Sequence, residues 1–363
     1  MTAAWLEVMP PLSPGVYVRR RATPPFPLQD PRCTLFARAR HGLWHGVHAL
    51  GLAPPDEILA PAYHHGSEIE ALVRAGLTCR FYDATPTLEP DDGELDRLLS
   101  ERTRALYLIH YIGVPQDGAR WRRWCDKRGL LLIEDAAQSW LASREGRPVG
   151  SDGDIALYCL YKAFGVPDGG AVLSRGPWPA TAGKRALGLA GLALVHALSL
   201  ARSSRLLSRV AARSRVKSRY DIQAEIALGD PRSGPSRATL LALPRVADPS
   251  AAQRRLRNYR WLLTRLGAIV PAAFRDPREG AAPFIFPVQT ARKAELLAHL
   301  RALGIRAYDL WPEPHPALAH DGFARAAALR AELVGLPVHH ELRTEDLERI
   351  VAAMKARPTR AAG

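Results

Sequence analysis

Apolar and polar positions follow two periods in this chain, and from about residue 35 onward the two take turns. "HGLWHGVHALGL" (41–52) repeats its apolar residues at helical spacing, whereas "DEILAPAY" (56–63) is a short apolar run that leaves into a loop. "SEIEALVRAG" (67–76) predicts a helix stopped by Gly76, "LTCRFYD" (77–83) a strand, "DGELDRLLS" (92–100) a helix and "ALYLIHY" (105–111) a buried strand. A helix over "DGARWRRWCDKRG" (117–129) and a strand over "LLLIED" (130–135) extend the series. Strands alternating with helices predict a mostly parallel, covered sheet of the α/β class.

The pattern changes after Ser174. "RALGLAGLALVHALSLAR" (185–202) is strongly apolar, but its uncharged run of about 15 residues is shorter than the roughly 20 that span a bilayer. Arg202, Arg205, Arg209 and Arg213 then recur at helical spacing opposite Leu206, Leu207 and Val210. This basic stretch, 202–217, is either a solvated helix face or a peripheral contact with an anionic membrane or acidic substrate. "DPRSGPSR" (230–237) breaks the pattern, and "DPSAAQRRLRNYRWLLTRLG" (248–267) predicts a long connecting helix. "APFIFPVQ" and "IRAYDLW" read as strands, "ARKAELLAHLRALG" as a helix closed by Gly304, and "TEDLERIVAAMKA" as a last helix with acids in its first turn. The expected organisation is a large domain over 1–245, with a divergent segment at 180–220, and a smaller α+β domain over 246–363.

Composition narrows the class. The 363 residues are 47% hydrophobic and 24% charged, an ordinary make-up for a chain with a sizeable core. Cys33, Cys79, Cys125 and Cys159 lie far apart with no CxxC pair, which fits a reducing compartment and no bound metal. The start, "MTAAWLEVMPPLSPGVYVRRR", lacks the pattern of a secretory signal, so the cytoplasm is the expected location. A formal charge of +14 suits an anionic partner, but no nucleic-acid-binding signature accompanies it, and none is expected to bind.

In such sheets ligands gather beyond the carboxyl ends of the strands. The loops there carry Tyr63, His64 and His65, then His110, then Asp135 and Gln138, and later Lys162. Lysine is scarce, with only six among 50 basic residues. Unlike a guanidinium, a partly buried amine can lose its proton and act as a nucleophile. Lys162 stands 27 residues after Asp135, with room for another strand between. An acid and an amine on neighbouring strand ends make either a structural salt bridge or a site.

Three segments separate these readings. "IEDAAQS" (133–139), "GRPVGSDGDIALY" (146–158) and "YKAFGVPDGGAVLS" (161–174), with Lys162 seven and eight positions before Gly169 and Gly170, resemble the DegT/StrS-type pyridoxal phosphate-dependent sugar aminotransferases. The chain is similar to a divergent member of that family, within the fold-type I aminotransferases: a mostly parallel sheet in a large three-layer domain, with a smaller α+β C-terminal domain. The likeness runs from "ALGLAPPDEILAPAY" to "GLPVHHELRTEDLERIV" and is weakest from 180 to 245. It implies that Lys162 holds pyridoxal 5′-phosphate and moves the catalytic proton, in an apolar pocket of Tyr161 and Phe164 that lowers its pKa. It implies that Asp135 pairs with the pyridine nitrogen and that Gln138 approaches the ring face or phenolic oxygen. His65 stands where a stacking aromatic is usual, and His110 matches a histidine whose motif is here "HYIG". On the phosphate side Ala39 and Arg40 replace a Gly-Thr turn, and Cys159 replaces a serine. An asparagine lent by the neighbouring subunit has no counterpart in "GDPRSGPSR".

The resemblance thus implies a homodimer with its site at the subunit interface. It would transfer an amino group from a small-molecule donor, glutamate or glutamine, to a keto acceptor such as a nucleotide-linked sugar. Tyr63, His64, Trp311 and His315 are candidate substrate contacts. Two alternatives stand beside this reading: a lipid-linked or carrier-bound substrate, suggested by the altered phosphate side and the basic stretch, and a degenerate scaffold without activity. Retention of Lys162, Asp135 and Gln138 together speaks against the scaffold.

Overall fold

The computed structural model describes residues 5–12, 14–176, 178, 222–318 and 322–356. The apolar and basic stretches expected at 185–202 and 202–217 lie outside the described residues. Nine strands occupy the first half: β1 (Cys33–Phe36), β2 (Glu57–Pro61), β3 (Thr78–Tyr82), β4 (Thr103–Ile109), β5 (Leu131–Asp135), the hairpin β6 (Ser143–Arg144) and β7 (Arg147–Pro148), β8 (Ile155–Cys159) and β9 (Gly170–Ser174). Seven of them build one sheet in the order β1-β9-β8-β5-β4-β2-β3. From β8 to β3 every pairing is parallel, and β9 alone runs against its neighbours β8 and β1. The mostly parallel α/β sheet read from the sequence is therefore the fold observed.

Successive side chains of a strand point to opposite faces, so each strand serves two cores. Ile58, Tyr107, Ile133 and Leu157 pack with Leu43 and Val47 of helix Ala39–Ala49 and with Ile69 and Leu72 of helix Ser67–Arg74. Leu59, Leu106, Leu108 and Leu132 face the other way, onto Trp121 and Trp124 of helix Gly118–Asp126. Trp121 is fully buried, and truncating such a residue to alanine costs roughly 3–5 kcal/mol.

Gly170 opens β9 against the start of helix Ala39–Ala49. A Cβ at this position would lie 2.2 Å from the Ala39 nitrogen. The strand after Lys162 and the helix N-terminus are therefore in backbone contact.

A second sheet is antiparallel, with β12 (Leu333–Pro337) between β10 (Ile285–Gln289) and β11 (Tyr308–Asp309). Leu296, Leu300, Leu347 and Ile350 from helices Lys293–Ala302 and Thr344–Lys355 pack with it. The strand expected over 305–311 shrinks to two residues, because Ile305 bridges Leu6 instead and Trp311 turns to φ +52°. The connecting helix, Ser250–Leu266, buries Leu256, Tyr259, Leu262 and Leu266. Tyr63 and Ile112 of the first sheet share one core with Phe284 and Trp311 of the second. Among the described residues no helix is long and apolar enough to cross a membrane.

Candidate active site

A cavity of about 160 Å³ opens where β5 and β8 end, at the start of helix Ala39–Ala49. Asp135 is the last residue of β5, and its register partner is Leu157 of β8. Lys162 lies on the short helix Leu160–Phe164 that follows β8 directly. Both line the cavity, and no hydrogen bond or ion pair joins them among the described residues.

Asp135 is oriented from two sides. Its Oδ2 accepts from the Tyr107 hydroxyl at 2.7 Å and its Oδ1 from the Ala137 amide at 2.8 Å. Burial first, then the charge of Glu68, pushes this carboxyl above its ordinary pKa, against the two hydrogen bonds. Glu68, in the first turn of helix Ser67–Arg74, is a second buried carboxylate in the wall. It accepts from the His65 amide at 2.9 Å and from Ser67 Oγ at 3.3 Å.

Lys162 Nζ sits 5.7 Å from the Phe284 ring centroid. Burial disfavours its ammonium, but Cys159, Tyr161, Tyr308 and Asp135 favour it more, and its pKa is held above the ordinary lysine value. The lowering expected from an apolar pocket is thus overturned. Phe164 turns away to pack on Trp140, ring centroids 5.3 Å apart, and polar groups surround the amine instead.

Gln138 has its amide fixed in one orientation. Its Oε1 accepts from the Ile112 amide at 2.9 Å, while its buried Nε2 has no partner among the described residues. Ile112 reaches this position at φ +61°, in the turn after β4.

The opposite end of the cavity is built from 38–40. Arg38 lies over the Tyr161 ring at 5.1 Å, and no acceptor for its guanidinium is present among the described residues. Arg40 lines the cavity too, but its Nη1 donates to the Glu225 and Ala227 carbonyls at 2.9 and 3.0 Å. Cys159 Sγ is 3.9 Å from the Tyr161 hydroxyl. His65 faces the cavity with Nδ1 3.1 Å from Ser67 Oγ and Nε2 3.5 Å from Glu225.

Four residues singled out from the sequence lie behind the wall rather than in it. His110 Nε2 contacts Glu134 at 3.0 Å and its Nδ1 accepts from the Gln116 amide, so both ring nitrogens are used within the fold. Tyr63 is fully buried behind Trp311, ring centroids 4.9 Å apart. His64 and His315 are buried and joined to each other. Trp311 alone of the four substrate candidates lines the cavity.

Sequence reasoning missed Tyr107, Glu68, Arg38, Phe284 and Tyr308. Tyr107 stands two residues before the end of β4, a signal that strand periodicity could have given. Phe284 and Tyr308 arrive from the second sheet and carry no local signal. Arg255 was also missed. It donates from the connecting helix to the Ala163 and Pro283 carbonyls, and burial lowers its pKa to about 10. A larger open cleft of about 600 Å³ lies elsewhere, between 87–89, 111–116 and 272–279. Its charged groups are largely paired, Glu89 with Arg120 and Arg144 with Asp117, and it contains no lysine.

The chain thus combines a mostly parallel sheet with a lysine after one strand and a buried aspartate ending its neighbour, both facing one cavity. Residues 29–196 match the model of the DegT/DnrJ/EryC1/StrS aminotransferase family. The chain is 27% identical over 336 residues to a dTDP-3-amino-3,4,6-trideoxy-alpha-D-glucose transaminase of Streptomyces venezuelae, covering 85% of this chain and 78% of that protein. It is 26% identical to a GDP-perosamine synthase of Caulobacter vibrioides, covering 84% and 80%. Among solved structures, AtS13 from Actinomadura melliaura shares the fold with a TM-score of 0.67 at 18% identity, over 98% of this chain and 100% of that one. The aminotransferase TlmJ from Streptoalloteichus hindustanus does so with 0.65 at 20% identity, over 90% and 85%.

Proposed function

We propose that this protein is a pyridoxal 5′-phosphate-dependent aminotransferase that moves an amino group from glutamate or glutamine to a keto group on a nucleotide-linked sugar. The observation that carries the reading is the pair of Lys162 and Asp135, facing one cavity without touching. A carboxylate buried with no cation in contact is costly unless a ligand pairs with it. The cofactor's protonated ring nitrogen fits Asp135, and the unpartnered Nε2 of Gln138 fits a cofactor oxygen. When bound, the cofactor supplies the electron sink that makes a carbon-bound proton removable.

The remaining work falls to the chain. Tyr107 and the Ala137 amide aim Asp135 so that its free lone pairs face inward. Lys162 Nζ is the amine for the covalent tie and the carrier of the transferred proton. His65, whose imidazole is flat and polarisable, would stack beside the ring. Phe284, Tyr308 and Trp311 wall off water. Amides at the start of helix Ala39–Ala49, with Arg38 and Arg40, would take the phosphate, and Cys159 contributes at most a weak donor there. The names of the relatives, which include dTDP- and GDP-linked sugar enzymes, support the acceptor class. The lipid-linked alternative rests on the altered phosphate side and on 202–217, which lies outside the described residues, and the relatives' names do not favour it. A cytoplasmic location and a homodimer, the latter implied by the resemblance, complete the proposal.

Purified protein supplied with the cofactor should absorb in the visible, and borohydride should fix the cofactor on Lys162, found by peptide mass. A protein that stays colourless and unmodified would refute the reading. The acceptor is then sought with keto sugars linked to dTDP, GDP and UDP, scored by amino-sugar product.

A further inference from the structure

Behind the Trp311 wall lies a set of buried contacts that the chemistry above does not use. Arg330, on helix Ala324–Glu332, is only 7% exposed. Its Nη1 donates to the carbonyls of His64 and Trp311, both at 3.0 Å, and of Glu313 at 3.3 Å, while its Nη2 donates to Ala62 at 2.8 Å. Two of these carbonyls belong to the loop leaving β2, and two to the loop after β11. The same guanidinium lies 5.6 Å from the Tyr63 ring, which packs on Trp311.

A second tie runs beside the first. Burial pulls the His64 pKa down to about 3, so its ring is neutral. His64 Nδ1 donates to the Pro61 carbonyl at 2.9 Å, and its Nε2 accepts from the His315 amide at 3.1 Å. His315 Nε2 in turn meets Glu70 at 2.9 Å, and its Nδ1 accepts from the Ala317 amide.

Trp311 itself adopts φ +52°, a left-handed conformation that strains a bulky residue and persists only where its surroundings over-determine it. A buried guanidinium is tolerable when its fixed fan of donors is matched by acceptors, and here the acceptors are backbone carbonyls from two separate loops. A point-charge ammonium could not span them.

We infer that Arg330 is a positioning residue, clamping the 311–315 loop onto the 62–65 loop so that Trp311 is set as a cavity wall before any ligand enters. His64, His315 and Glu70 form the auxiliary tie. The pocket is then closed on this side by the protein alone, and ligand binding need not move it.

Hydrogen exchange of the full chain tests this, since the amides of His315, Ala317 and Leu318 are all hydrogen-bonded in the clamped loop. Arg330→Met should speed exchange over 311–318 by about tenfold or more, with 39–49 and 131–139 unchanged. Added pyridoxal 5′-phosphate should slow the loop in Arg330→Met and change it less than about twofold in the wild type, because only the loosened loop has order to gain. Arg330→Lys should restore only part of the protection. If Arg330→Met does not fold, His315→Ala and Glu70→Gln cut the auxiliary tie alone, with an expected acceleration of about threefold. Wild-type exchange in 311–318, or acceleration shared equally by 39–49 and 131–139, would overturn the inference. The ligand-free comparison stands apart from the cofactor reading, which fails separately if the wild type does not take up the cofactor.

Discussion

The two ends of the cavity commit their polar groups differently. At the end built on β5 and β8, Asp135 is pinned by bonds that leave lone pairs on its oxygens, Gln138 by one that leaves its Nε2 without a partner among the described residues, and Lys162 has no hydrogen bond or ion pair among those residues. At the end built on residues 38–40, Arg40 already serves two carbonyls, and a thiol stands where a hydroxyl would donate better. Strand ends fix side chains through register and neighbouring strands, so the first end is prepared without a ligand. The second depends on backbone amides and on Arg38, which is the cation left without an acceptor there among the described residues.

The largest break in this contrast is Lys162→Ala. It should lower transamination by at least about 10³-fold and abolish borohydride fixation, while protein stability by thermal melting stays close to wild type. Asp135→Asn comes next, with a loss of roughly 10²- to 10³-fold in rate and weaker cofactor retention on dialysis.

Titration sharpens the same point. The Asp135 carboxyl has a raised pKa in the folded protein, so the native state binds its proton more tightly than the unfolded chain does. Raising pH from the unfolded value upward through the folded one therefore removes stability from the bare protein. A ring cation returns it. The cofactor-induced rise in Tm should be larger at pH 8 than at pH 5, and this difference should shrink in Asp135→Asn.

The phosphate end predicts smaller effects. Arg38→Ala should weaken pyridoxal 5′-phosphate by about tenfold or more and pyridoxal hardly at all, as measured by absorbance titration. Arg40→Ala should weaken both forms alike, because its bonds to Glu225 and Ala227 hold the wall. Cys159→Ser should tighten the phosphorylated form by a few-fold. Equal behaviour of Arg38→Ala and Arg40→Ala toward the two forms would dissolve the contrast between the ends.

What was legible in the sequence follows the same division. "LLLIED" is a continuous apolar run ended by acids, so both the strand and the position of Asp135 could be read, and Gln138 follows within one turn. His110 obeys the same strand-end rule, yet its ring turns to Glu134. The rule gives a residue's place in the chain and not the direction of its side chain. β12 went unread because Gly335 and Pro337 argue against a strand. In the fold, Gly335 leaves room for Ile285, whose Cδ1 would lie 2.4 Å from a Cβ at this position and would have to shift. The Lys162 environment was misjudged because Tyr308 comes from a strand of the second sheet that is two residues long. No periodicity reports a neighbour so far away in sequence.

Gly170 acts as a gauge block in this molecule. Its bare Cα sets the spacing between the frame that carries Lys162 and the helix end 37–40, so any larger residue would change the span between the two anchor points offered to a ligand. A change there would act as a change of ruler, felt equally by every substrate. Variation that distinguishes one ligand from another has to be written on the side chains that border the cavity, and the chain keeps its length standard in a residue that has no side chain to vary.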